Sequence, residues 1–246
     1  MQFEHLSASA IMLTTPILLA AMGGLINRRA GIVNIGLEAK MLAGAFVAVI
    51  VSSATGSWII ACFAAALAGA AIGWLFSLSI TRAGANMIVA GLGLNILVAG
   101  VLGFVLSWMY RSSGTLRLPD VALLPKILPA GLEVVPLFGP ALAALDPLTL
   151  LAWMTVGALP FVLASTRIGL WIRATGNASE MARSVGLQHL TIQDFTTACA
   201  GFFSGLAGAH LALVSLGLFN EGLTAGRGFI ALAAFYFGRD RPVTTA

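Results

Sequence analysis

Apolar runs of about twenty residues follow one another along most of this chain, with short polar turns between them. Crossing a hydrocarbon layer about 30 Å thick takes about 20 apolar residues in an α-helix. Six runs meet that length: Leu6–Ile26, Ile32–Val51, Trp58–Ile80, Met87–Tyr110, Pro147–Thr166 and Ile192–Leu216. A seventh begins near Gly228 and is cut short at the C-terminus. Lipid offers no partner to free backbone groups, so spanning segments must be helices or closed barrels. Barrel strands alternate apolar and polar residues, and these runs do not. Charged residues make up 9% of the 246, against about 25% in a soluble domain, too few to cover a globule of this size. The expected fold class is therefore all-α: a polytopic integral membrane helix bundle with six full transmembrane helices and a partial seventh (228–238), forming one transmembrane domain over residues 1–246.

The net charge of +4 does not point to nucleic acid, because no basic patch with interleaved aromatics exists. Basic residues in short loops instead orient a membrane protein. If the loop around Arg173 is cytoplasmic, then Arg28, Arg29, Arg82, Arg167, Arg173, Arg183, Arg239 and Arg241 lie inside. Arg111, Arg117, Lys126 and Arg227 lie outside, and the N-terminus is external. No Lys or Arg precedes Arg28, so the first run lacks the basic flank of a cleavable signal and reads as a retained span. Residues 111–146 form a proline-rich external loop, and its Gly131–Leu145 part is expected to be a lid or re-entrant segment. Gly69 and Gly73, and Gly201, Ser204, Gly205 and Gly208, form small-residue faces that allow close helix approach.

No enzyme constellation is present, and no catalytic residue, metal site or cofactor is expected. Cys62 and Cys199 lie in apolar runs with no ligand spacing around them. A phosphate-cradling P-loop needs GxxxxGK followed by Ser or Thr. The two lysines, Lys40 and Lys126, are followed by Met41 and Ile127, so ATP is not bound here by that device.

The longest polar interruption between good spans is the loop 167–191. Within it Asn177, with Glu180 three residues on, resembles a capping box, and Gly186 is placed to end a helix in the left-handed region. This predicts a short helix over Ala178–Val185. Ala178, Met181, Ala182 and Val185 share one face and Ser179, Glu180 and Arg183 the other. A helix so short needs a partner surface, either membrane lipid or another protein.

Here a family resemblance emerges. RATGNASEMARSVGL resembles the cytoplasmic coupling segment of ABC-importer permeases of the branched-chain amino acid and simple-sugar type, through Arg173, Ala174, Gly176, Ala182 and Gly186. NRRAGIVNIGLEAKMLAGAF (Asn27–Phe46) looks like the early (E/N)RAGVVNIGLEG stretch of the family, and GRGFIALAAFYFG (Gly226–Gly238) like its late GRGFIALAAVIFG stretch. The likeness extends over nearly the whole chain, in order and spacing, and points towards the nucleoside or simple-sugar subgroup. Departures are Lys40, where the family is usually apolar, Ala39, where glycine is common, and an apparently truncated C-terminus.

The resemblance implies a plasma (inner) membrane permease subunit that translocates a small polar solute. Its partners would be separate ATPase subunits, a second permease subunit and an extracytoplasmic substrate-binding protein. The coupling residues would be Arg173, Gly176, Asn177, Ala178, Glu180, Met181, Ala182, Val185 and Gly186, with Ala178, Met181, Ala182 and Val185 facing the ATPase.

Polar groups inside a membrane are expensive and normally face a bundle interior or water. Asn34 and Glu38 are spaced to share one face of the second span, with Glu38 about 10 Å from its cytoplasmic end at about 1.5 Å per residue. Lys40 points elsewhere and would snorkel. Asn95 is a similar midspan group. Asn34, Glu38 and Asn95 are candidates for lining the pathway, or are structural hydrogen-bond partners between helices. The alternative class is an ion-gradient-driven secondary transporter with Glu38 and His210 as proton carriers. That reading leaves the capped helix after Arg173 unexplained.

Overall fold

A computed structural model describes residues 2–111, 114–127, 145–214 and 217–245. Among the described residues, six helices are long and apolar enough to cross a membrane: α1 (Gln2–Arg29), α2 (Leu37–Thr55), α3 (Trp58–Thr81), α4 (Met87–Tyr110), α5 (Pro147–Ser165) and α8 (His189–Leu213). Between α5 and α8 lie α6 (Arg167–Asn177) and α7 (Ser179–Ser184). After α8 come α9 (Arg227–Phe237) and α10 (Pro242–Thr245). The strands β1 (Thr115–Arg117) and β2 (Leu218–Asn220) pair antiparallel, Leu116 opposite Phe219. The chain is thus a polytopic helical bundle. Most of Gly131–Leu145 lies outside the described residues.

Local chemistry sets several helix starts. Asn86 accepts hydrogen bonds from the amides of Ile88 (2.9 Å) and Val89 (3.3 Å) at the start of α4. Asp146 accepts from Leu148 and Thr149, each at 2.9 Å, ahead of Pro147 in the first turn of α5. These caps satisfy amides that have no intrahelical acceptor.

The centre of the bundle is α8, packed against α1, α2 and α3. Glycine makes that packing possible. A Cβ on Gly201 would overlap the Gly69 carbonyl, one on Gly205 the Ala65 carbonyl, and one on Gly208 the Met41 carbonyl. Lipid supplies no hydrophobic drive between helices, so close backbone contact and its dispersion energy hold them. The pairs Ala65–Gly205, Gly69–Gly201 and Gly73–Thr197 run antiparallel, as do Gly23–Ala200 and Asn27–Thr197. The ends of α1 and α3 and the start of α8 therefore share one end of the bundle. Arg28, Arg29 and Arg82 lie there, with Arg82 Nη2 donating to Asp194 at 2.8 Å. This is the basic end of the bundle, which the charge rule expects on the cytoplasmic side.

The largest departure from expectation is in the second span. It is not helical from Ile32, because α2 begins only at Leu37. Gly31 turns the chain at φ 87, the Ile32 amide donates back to the Asn27 carbonyl at 3.2 Å, and Ile32–Gly36 lie in neither helix. Met41 lies against Gly208 and Gly44 against Gly205, so α2 starts beside the middle of α8 rather than at its basic end. The five non-helical residues Ile32–Gly36 lead from that end to the start of α2. Asn34 is consequently outside the helix, and Asn34 and Glu38 do not share a helical face.

The partial seventh span is α9, and it also starts in mid-bundle. Its first residues meet Glu38, and the chain just beyond its end meets Arg29. Eleven residues at about 1.5 Å each make a rod of about 16 Å, half a hydrocarbon layer.

Candidate functional site

The broken backbone and the half-length helix close on each other. Glu38, in the first turn of α2, accepts hydrogen bonds from the amide of Gly226 at 2.8 Å and that of Gly228 at 2.7 Å. Both are orphan donors at the start of α9, where the helix dipole also favours a negative charge. Gly228 packs so tightly that a Cβ there would lie 2.6 Å from the Glu38 amide. Gly226 sits at φ 79, a turn that glycine makes without strain. The Glu38 carboxylate is therefore fully engaged within the chain.

Asn95 performs the same task from α4. Its Nδ2 donates to the Ile35 carbonyl at 3.2 Å, and its Oδ1 accepts from the Ala39 amide at 3.0 Å. One side chain thus satisfies backbone groups on both sides of the helix start. Irregular backbone at membrane depth is tolerated only where it is buried in protein or lines a cavity. Gly91 brings α4 close enough for this, as a Cβ there would stand 3.1 Å from Gly36 N.

Asn34 is buried, and its Oδ1 accepts from Lys40 Nζ at 2.6 Å. Lys40 does not snorkel. It is fully buried, with Nζ 4.7 Å from the centroid of the Phe76 ring. The reason is position: α2 starts in mid-bundle, so no interface is within reach. Among the described residues, Asn34 Nδ2 has no hydrogen-bond partner. Of the three expected pathway groups, Glu38 and Asn95 brace the break, while Asn34 holds Lys40.

His210 is buried near the opposite end of α8, with Nε2 3.0 Å from Asp146 Oδ2. Burial pushes the Asp146 carboxyl up, but the His210 hydrogen bond and charge, with bonds from Thr149, outweigh it and hold the carboxyl below its ordinary range. His210 thereby ties α8 to the cap of α5.

The segment expected to couple to an ATPase differs from expectation in three ways. First, the polar loop opens with α6, an amphipathic helix missed in the sequence, capped by Thr166 Oγ1 accepting from the Gly169 amide at 3.1 Å. Its Ile168, Trp171 and Ile172, with Thr191, Ile192 and Phe195 of α8, line a cavity of about 290 Å³. Second, Asn177 is the last residue of α6 rather than the cap of the next helix. The short helix α7 runs Ser179–Ser184 with no side-chain cap, so the Asn177–Glu180 box does not form. An intact preceding helix occupies the backbone that a capping residue would need to bend. Gly186 does end α7 in the left-handed region, at φ 84, with the Leu187 amide donating to the Ala182 carbonyl at 3.0 Å. Third, Ala182 is turned inward at 4% exposure, while Met181 and Val185 are 69% and 73% exposed. Ala178, Glu180 and Arg183 are also exposed, and Arg173 is half-buried.

Comparisons with known proteins agree in kind. The family described as branched-chain amino acid transport system, permease component, matches residues 7–245. The guanosine ABC transporter permease protein NupQ of Bacillus subtilis is 31% identical over 96% of this chain and 75% of its own length. The nucleoside ABC transporter permease protein NupC of Lactococcus lactis subsp. cremoris is 30% identical over 96% of this chain and 76% of its own. The glucose ABC transporter permease protein TsgB13 of Haloferax volcanii is 30% identical over 93% and 62%. No solved structure matches.

Proposed function

The chain belongs to the family of branched-chain amino acid transport permease components, and on that premise we propose that it carries a nucleoside or simple sugar across the plasma membrane in an ATP-driven importer. It is a multi-pass membrane permease. In the proposed assembly, hydrolysis occurs on separate ATPase subunits, a second permease subunit completes the pathway, and an external binding protein delivers the solute. The substrate class follows the relatives, which are named for guanosine, nucleosides and glucose.

The observation that carries the division of labour is the α6–α7 segment. At the basic end of the bundle it exposes Met181 and Val185, two large apolar side chains, one on and one just past a helix of six residues too short to stand alone. Such a surface fits a groove on a soluble partner. Arg173, Gly176, Asn177, Ala178, Glu180, Ala182 and Gly186 shape that segment. Ala182 packs it onto its own protein instead of meeting the ATPase. Asn34, Glu38 and Asn95 maintain the mid-membrane break beside the pathway. The ion-gradient alternative loses its carriers, because Glu38 is capped by two amides and His210 is paired with Asp146.

The test is uptake by proteoliposomes holding the permease, its cognate ATPase and the binding protein. Uptake should require ATP. Met181→Asp combined with Val185→Asp should lower ATPase capture and uptake by about 10-fold or more, which is about 1.4 kcal/mol in coupling, with membrane insertion intact. Uptake driven by an ion gradient without the ATPase would sink the proposal, as would normal uptake by the double variant.

A further inference from the structure

The α6–α7 segment and the mid-membrane break meet backbone to backbone. Gly176, in the last turn of α6, lies against the end of α1. A Cβ there would overlap the Arg29 carbonyl and stand 2.9 Å from the Gly31 amide. From the other side, a Cβ on Gly31 would stand 3.2 Å from Gly176 Cα. No side chain lies between them, so a relative displacement of α6 is not absorbed by a rotamer change and must move the turn at Gly31.

From Gly31 two routes lead to Glu38. Along the chain, Ile32–Gly36 run non-helically to the start of α2. Through space, Arg29 Nε donates to the Asp240 carbonyl at 2.9 Å, just beyond α9. Arg28 lies 3.7 Å from the Asp240 carboxylate and 5.2 Å from the Tyr236 ring centroid. From there α9 runs back to Gly228 and Gly226, which hold Glu38. The break and α9 form a closed frame with Gly176 resting on one corner.

We propose that the Gly31–Gly176 contact is the joint through which movement of α7 reaches mid-membrane, where it releases Glu38 from the amides of Gly226 and Gly228. Gly176 is a positioning residue: it touches no solute and acts through Gly31. The inference rests on the importer reading and adds to it one contact and one set of hydrogen bonds that must change with nucleotide state.

The experiment uses the complete importer in proteoliposomes, with Gly176→Ala and, as a control, Gly157→Ala, whose added Cβ meets no heavy atom within 4 Å. Gly176→Ala should lose about 10-fold or more of uptake per ATP hydrolysed, a coupling loss of ordinary allosteric size. Gly157→Ala should match the wild type in this ratio. Hydrogen exchange supplies a second readout, because it reports local opening of single hydrogen bonds. In the wild-type complex, the 226–228 amides should exchange faster in one nucleotide state than the other; in Gly176→Ala they should not differ. Wild-type uptake by an assembled Gly176→Ala complex overturns the proposal, and so does equal 226–228 exchange in both wild-type states. If the variant fails to assemble, the wild-type exchange decides alone. A wild-type permease that never captures an ATPase overturns the importer reading itself, a result separate from both.

Discussion

Glu38→Ala should abolish uptake and lower the melting temperature of the purified permease, although the substitution removes a charge from the membrane interior. Deleting an unpaired intramembrane carboxylate would be expected to stabilise. This one accepts from Gly226 and Gly228. Hydrogen bonds to charged groups contribute about 1.5–3 kcal/mol each, and the two amides would be left unsatisfied in a water-poor site. Glu38→Gln keeps the shape but offers one acceptor oxygen instead of two, so it should fall between wild type and alanine. A Glu38→Ala protein that melts with the wild type would show that the carboxylate does not hold α9.

Gly201→Val should prevent the bundle from assembling. The glycine faces the Gly69 carbonyl and Ala70 Cα, so the added atoms meet backbone that no rotamer can clear. Overpacking costs about 1–3 kcal/mol in cores that can adjust, and occasionally more. Here α3 and α8 must separate along their whole contact, so the loss should be about 3 kcal/mol or more. Gly93→Ala on α4, where the new Cβ meets nothing within 4 Å, should stay within about 0.5 kcal/mol of the wild type, as surface changes usually do. Thermal melting in detergent measures both. Equal melting of Gly201→Val and the wild type would refute the account of α3–α8 packing.

Much of the architecture could be read from hydrophobicity alone, because lipid imposes one length scale on every span. Trp58 and Met87 open α3 and α4 as expected from the edges of their apolar runs. Hydrophobicity does not distinguish an apolar helix from an apolar non-helical segment. Ile32–Gly36 therefore read as the start of a span, although Gly31 and Asn34 were the local hints of a break. The helix α6 was missed because its pattern is amphipathic rather than apolar. Ile168, Trp171 and Ile172 have helical spacing, and Thr166 is a good cap, so the signal was present. The junction was not legible in the same way. The spacing of Asn34 and Glu38 suggested a shared face, but the partners of Glu38 lie near the far end of the sequence. The pairing of β1 with β2 is likewise non-local, and three-residue strands carry too little pattern to announce it.

The hydrogen bonds that close the frame join residues 188 and 190 positions apart. Synthesis proceeds from the N-terminus, so Glu38 enters the bilayer long before Gly226 and Gly228 leave the ribosome. For that interval α2 carries a carboxylate in lipid with no amide to answer it, and Asn95 is the earliest clamp to arrive. The newborn permease is thus incomplete at α2 until residues 226–228 are made. Membrane proteases that sense exposed polar groups would have a built-in marker separating chains that have closed this junction from those that have not.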